Sequence, residues 1–93
     1  MITIDEKQYE IVENSRDALD MDALKEKLTE YFDNFDYIVG DWAYGKLRLK
    51  GFCDKSNKQF SKINDYRKVQ DYIQKYCAYG CKYFIIKRVT IDK

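Results

Sequence analysis

Apolar and polar positions along the chain follow two periods. Ile2-Thr3-Ile4 alternates, Tyr9-Glu10-Ile11-Val12 nearly so, and polar Asp5-Glu6-Lys7-Gln8 lies between them. That pattern predicts a short N-terminal hairpin. Polar residues from Asn14 to Asp20 lead into a helix. Asp20 suits its N-cap, and Asp22 favours its positive end. Met21, Leu24, Leu28, Tyr31 and Phe32 recur at helical spacing, with Phe35 just beyond, so the helix is expected to end near Asp33-Asn34.

The period then changes to two. Asp36-Tyr37-Ile38-Val39-Gly40-Asp41 and Lys46-Leu47-Arg48-Leu49-Lys50-Gly51-Phe52 read as paired strands. Trp42-Ala43-Tyr44-Gly45 is the expected turn, with Gly45 supplying a backbone angle that other residues avoid. A turn of that length sets Asp41 opposite Lys46, Val39 opposite Arg48 and Tyr37 opposite Lys50. Ile38, Gly40, Leu47 and Leu49 then share an apolar face. Tyr37, Asp41, Lys46, Arg48 and Lys50 share the other. A slip of one residue would bury Lys46, Arg48 and Lys50, so the register is well specified.

Asp54 to Lys58 reads as a polar loop. Asn64 or Asp65 caps a second helix, along which Tyr66, Val69, Ile73, Tyr76 and Cys77 line one side, with Gly80 just past its end. Tyr83-Phe84-Ile85-Ile86 is apolar without alternation and leads into Lys87-Arg88-Val89-Thr90-Ile91. Such a run suits a central strand covered on both faces. The expected architecture is α+β, in the order β-β-α-β-β-α-β. Two helices pack on a mixed sheet of about five strands.

Length narrows this further. The 93 residues contain no proline and no linker-like tract, so residues 1–93 are expected to form one domain. A chain this short hides roughly 60 to 70 % of its unfolded surface. It can build one core, but not a core and a deep closed active site. Seventeen basic and sixteen acidic side chains nearly cancel. A duplex nucleic-acid binder needs more positive charge than that, although a local basic patch remains open. No signal-like segment and no run near 18 apolar residues occurs, so a cytoplasmic protein with no membrane partner is expected.

The chemistry available is limited. Histidine is absent and the cysteines number three, a poor basis for a disulfide framework. In the cytoplasm they are expected to be reduced. Cys77 and Cys81 are spaced C-x3-C, and Cys53 joins them only if the fold brings it near. Zinc would need another ligand from an aspartate, a water or a second subunit. A redox pair prefers a helix N-terminus, whereas Cys77 falls at an expected C-terminus. Small apolar core residues are the simpler account. Ser15, Ser56 and Ser61 have no histidine to act as base. Asp17, Asp33, Asp36 and Asp41 read as caps and cross-strand partners, and Asp36 and Asp41 point to opposite faces of a regular strand. No Gly-rich phosphate loop is present, so no cofactor is expected.

The positive feature is a basic-aromatic face. Lys46, Arg48 and Lys50 project every second residue from one strand, Tyr37 neighbours them, and Trp42 and Tyr44 crown the turn. Lys87 and Arg88 extend the patch if the last strand lies alongside. Trp, Tyr and Arg dominate protein-binding hot spots. Cations tracking a backbone beside stacking aromatics also describe single-stranded nucleic-acid binders. The plain alternative is a solvated sheet face with Trp42 in the core. Arg48 carries most weight, because its planar fork can clamp a carboxylate or phosphate and stack on a ring.

The segment from Asp36 to Phe52 resembles the signature of the YutD-like family, small proteins of low-GC Gram-positive bacteria. Arg16-Asp17 and Tyr76-Cys77-Ala78-Tyr79-Gly80-Cys81 are similar to further elements of that family, while Ala43 stands where glycine is expected. The resemblance implies a compact αβ domain in a bacterial cytoplasm and lends no catalytic residues. The combined expectation is a non-enzymatic binding domain acting through Tyr37, Trp42, Tyr44, Lys46, Arg48 and Lys50. A protein partner ranks first, RNA or single-stranded nucleic acid second, and an enzyme or a metal or redox site at Cys77 and Cys81 third.

Overall fold

The N-terminal alternation forms β1 (Ile2–Ile4) and β2 (Lys7–Ser15), paired antiparallel. The description comes from a computed structural model and covers residues 2–4, 7–29, 32, 35–43, 45–76 and 82–89. β2 runs further than the alternation suggests because its second half pairs with the last strand, across an irregularity between Ile11 and Glu13. Helix α1 (Met21–Lys27) starts where expected. The Asp20 carboxylate accepts from the backbone N–H of Asp22 at 3.0 Å and of Ala23 at 3.2 Å. It ends earlier, at Leu28, whose backbone is already extended. Tyr31, Asp33 and Asn34 lie outside the described residues. Phe32 and Phe35 therefore leave the helical stripe. The Phe35 ring covers Gly51, where an added Cβ would collide with the ring.

The central hairpin is β3 (Tyr37–Ala43) and β4 (Lys46–Phe52). Its connection is shorter than the four residues expected, and the register moves by two. Asp41 faces Arg48, Val39 faces Lys50, and Tyr37 faces Phe52. A short connection suits the twist of antiparallel strands, and Gly45 supplies the required positive φ of 74°. A shift of two residues keeps every side chain on its expected face.

Asp65 caps a 3-10 turn over Tyr66–Lys68, its carboxylate accepting from the Arg67 N–H at 2.9 Å. The turn runs into α2 (Val69–Tyr76). The last strand, β5 (Tyr83–Val89), is central: Phe84, Ile85 and Ile86 are each at most 1 % exposed. Among the described residues the sheet has five strands, in the order β1-β2-β5-β3-β4. Every strand pairing is antiparallel, which corrects the expected mixed sheet. Helix α1 joins β2 to β3, which run the same way, but β5 lies between them. Helix α2 joins β4 to β5, which also run the same way, with β3 between. Parallel directions are thus present without parallel neighbours, apart from an isolated parallel bridge between Cys53 and Asp65.

Each helix covers one sheet face. On the α1 side Leu24 packs with Ile4, Tyr9, Ile38, Phe84 and Ile86. On the α2 side Val69 packs with Tyr37, Val39, Phe52 and Ile85. No helix among the described residues is long and apolar enough to cross a membrane.

Candidate binding surface

β4 is an edge strand, and the face that carries its cations is shared. Val39 and Phe52 lie on that face and are covered by α2 at one end. Lys46 is exposed at the far end, opposite Ala43. Arg48 sits between. Its Nε donates to Asp41 Oδ1 at 3.2 Å and its Nη2 to Oδ2 at 2.6 Å. The Asp41 side chain is 2 % exposed and that of Arg48 is 45 %. The fork holds a buried carboxylate while its outer side meets water. Lys50 is half-buried, with Nζ 5.6 Å from the Phe52 ring centroid and 5.9 Å from that of Tyr72. Its stem lies along the aromatics that α2 brings down.

Neither Tyr37 nor Trp42 stands with these cations at the surface. Tyr37 is on the same face but buried, its ring stacked on Tyr66 with centroids 3.5 Å apart and planes 10° from parallel. Burial pushes the Tyr37 hydroxyl above its ordinary pKa, and the carboxylates of Asp54, Asp36 and Glu10 add to the effect. Trp42 lies on the opposite, α1-facing side. Its ring N–H donates to the Ala18 carbonyl at 2.7 Å. Tyr44 lies outside the described residues. β5 pairs with β3, not with β4. Lys87 accordingly sits over Tyr37, 5.8 Å from its centroid, while Arg88 falls on the α1 side.

Next to β4 the structure has a groove of about 370 Å³, touched by Arg48, Leu49, Lys50 and Gly51. Successive strand residues point to opposite faces, so a groove that touches all of these runs along the strand's edge. Phe32 and Phe35 line it from the α1 side and Tyr72 from the α2 side, while Ile63 and Asn64 line it near Gly51, where residues 64–66 run alongside Cys53. The periodicities assigned none of these to a site. Ile63 was the available signal: an apolar residue in a polar loop, and 82 % exposed.

That loop is fixed by hydrogen bonds. Asp36 Oδ2 accepts from the Asp54 N–H at 2.8 Å and from Asn57 Nδ2 at 2.9 Å. The Cys53 N–H donates to the Asn64 carbonyl at 2.7 Å, and Asn64 Oδ1 accepts from the Ser61 N–H at 2.7 Å. Asp36 is thus a loop anchor. Cys53 is buried, and burial followed by the nearby Asp36 carboxylate raises its thiol pKa. A thiol held protonated is a poor nucleophile and metal ligand. Cys77 and Cys81 lie outside the described residues.

The family model described as "Putative antitoxin YutD-like" matches residues 3–87. The chain belongs to the YutD-like family. A YutD-like relative, "Putative antitoxin YutD" of Bacillus subtilis (strain 168), is 40 % identical over 89 residues. That match covers 96 % of this chain and 98 % of the relative. The solution NMR structure of protein yutD from B. subtilis superposes with a TM-score of 0.81 at 39 % identity. It covers all of this chain and 84 % of that one. The YutD-like resemblance of the central hairpin therefore holds for the whole fold.

Proposed function

We propose that this YutD-like chain is a non-enzymatic binding domain that acts as an antitoxin does, by holding a protein partner, and that the partner sits along β4. The observation that carries the reading is the row Lys46, Arg48 and Lys50 beside a groove that follows the same strand edge. The name of the Bacillus subtilis relative supports a protein partner. Base stacking has less support. Tyr37 is stacked beneath Tyr66, and Trp42 lies on the sheet face opposite Arg48 and Lys50, so neither ring gives bases a platform on the face that carries these cations.

Co-purification tests the reading. The tagged chain is expected to retain a protein in stoichiometric amount, insensitive to nuclease. Lys46→Glu with Lys50→Glu is expected to release it while far-UV circular dichroism stays unchanged. Retention of nuclease-sensitive RNA in its place, or full retention by the double variant, contradicts it.

A further inference from the structure

We infer that the partner contributes an extended, acidic segment that adds to the β4 edge as a sixth strand. This rests on the protein-partner reading above and names how the contact is made. Among the described residues the sheet order leaves β4 with a strand neighbour on one side only, and residues 64–66 meet that edge just past it, at Cys53. Its pairing with β3 is continuous from Lys46 to Phe52, with no bulge, so its outer edge keeps a regular spacing of backbone groups. Such an edge is a template for another strand.

The groove is lined by side chains from both faces of the sheet along that edge. A strand laid along Arg48 to Gly51 would direct alternate side chains to opposite walls. One set meets Phe32, Phe35 and Leu49, which is an apolar wall. The other set meets Arg48, Lys50 and Tyr72, which favours carboxylates. The matching segment alternates acidic with large apolar residues.

Lysines on an edge strand also discourage unwanted pairing. That accounts for Lys46 and Lys50, but not for a groove walled on both sides. It does argue against a second copy. Two β4 edges brought together would oppose Lys46, Arg48 and Lys50 to one another, and like charges facing across strands repel. The open edge of β2 carries the complementary sequence Glu10-Ile11-Val12-Glu13, with Ile11 and Val12 exposed. Its pairing is broken between Ile11 and Glu13, which spoils the spacing a regular strand needs. The occupant is therefore an acidic strand of another protein.

The probe is the peptide acetyl-Glu-Ile-Glu-Phe-Glu-Ile-Glu-amide, as long as the seven residues of β4. It is titrated into the labelled chain and followed by amide NMR shifts and hydrogen exchange. Shifts and slowed exchange are expected at Arg48 to Gly51. Lys46→Glu with Lys50→Glu is expected to weaken binding at least about tenfold, and Ile63→Ser, which leaves the charges alone, to weaken it less. The same peptide N-methylated on its backbone keeps every side chain and loses its donors, so it is expected to lose binding.

Equal binding of the N-methylated peptide overturns strand addition, as does the absence of β4 shifts at millimolar peptide. A uridine oligonucleotide that moves the β4 amides while the peptide does not also overturns it, in favour of RNA. Concentration-dependent β4 shifts without peptide overturn it in favour of a second copy. If the peptide fails while the charge-reversed variant still loses its co-purified protein, strand addition falls and the protein-partner reading stands.

Discussion

Arg48 combines a structural duty with an exposed surface, and the two can be separated. Its fork supports Asp41, a carboxylate almost wholly out of water. Arg48→Ala leaves that charge without its ion-pair partner and is expected to cost about 1–3 kcal/mol in urea unfolding. Lys46→Ala, at an exposed site of the same strand, is expected to stay within about 0.5 kcal/mol. Equal effects would show that the Asp41–Arg48 pair does not bear on stability. Sequence spacing put both residues on one face correctly, but it paired Asp41 with Lys46 because it assumed a longer turn. Sequence alone also could not tell that Trp42 would turn toward α1, since an indole N–H finds its acceptor through tertiary contact.

Tyrosine titration sets an alkaline limit at the same scale. The hydroxyls of Tyr37 and Tyr66 are raised chiefly by burial, and that of Tyr83 by its 2.6 Å hydrogen bond to Glu13. A raised folded pKa means the folded state keeps its proton longer than the unfolded chain. The contribution is complete below the ordinary tyrosine value of about 10 and is lost as pH climbs through the folded values. The melting temperature is expected to fall above about pH 10, with tyrosinate absorbance lagging behind free tyrosine. Tyr37→Phe should flatten that slope. A slope unchanged in Tyr37→Phe would show that Tyr37 has no part in it.

Among the elements, hydrophobic periodicity located the strands and helices of the described residues but misjudged where some stop. The α1 pattern continues to Phe32 and Phe35 in sequence, yet the helix ends at Leu28 because those rings are used against β4 instead. Nothing in a single helical stripe distinguishes a residue packed through its helix from one packed after it. Gly51 is the counterpart that makes this possible. Gly51→Ala places a Cβ against the Phe35 ring and is expected to destabilise by about 1–3 kcal/mol. It should also disturb the Phe35 wall of the groove, visible as shifts in the Phe35 ring protons. A neutral Gly51→Ala would mean the ring is not seated there. Leu24, the residue of α1 that is fully buried, gives a reference point. Leu24→Ala is expected to cost about 2–5 kcal/mol.

Over the whole molecule, the unpatterned run Phe84-Ile85-Ile86 foretold a central strand, and β5 occupies that place. Which strands it separates was not legible, because pairing partners distant in sequence leave no local signal. That insertion keeps strands of equal direction apart and makes every neighbour antiparallel. It also leaves β4 at the edge, where the cations from one period and the groove from another come together. The candidate site was therefore half visible in the sequence. The cations were read from alternation, while Phe32, Phe35, Ile63 and Tyr72 gather only through the fold.

Amide hydrogen exchange on the complex between this chain and its co-purified protein tests the placement most directly. Slowed exchange concentrated in Lys46 to Gly51, with the outer half of β2 unchanged, is the expected result. Protection that falls on β1 and β2 and leaves β4 exchanging freely would contradict it.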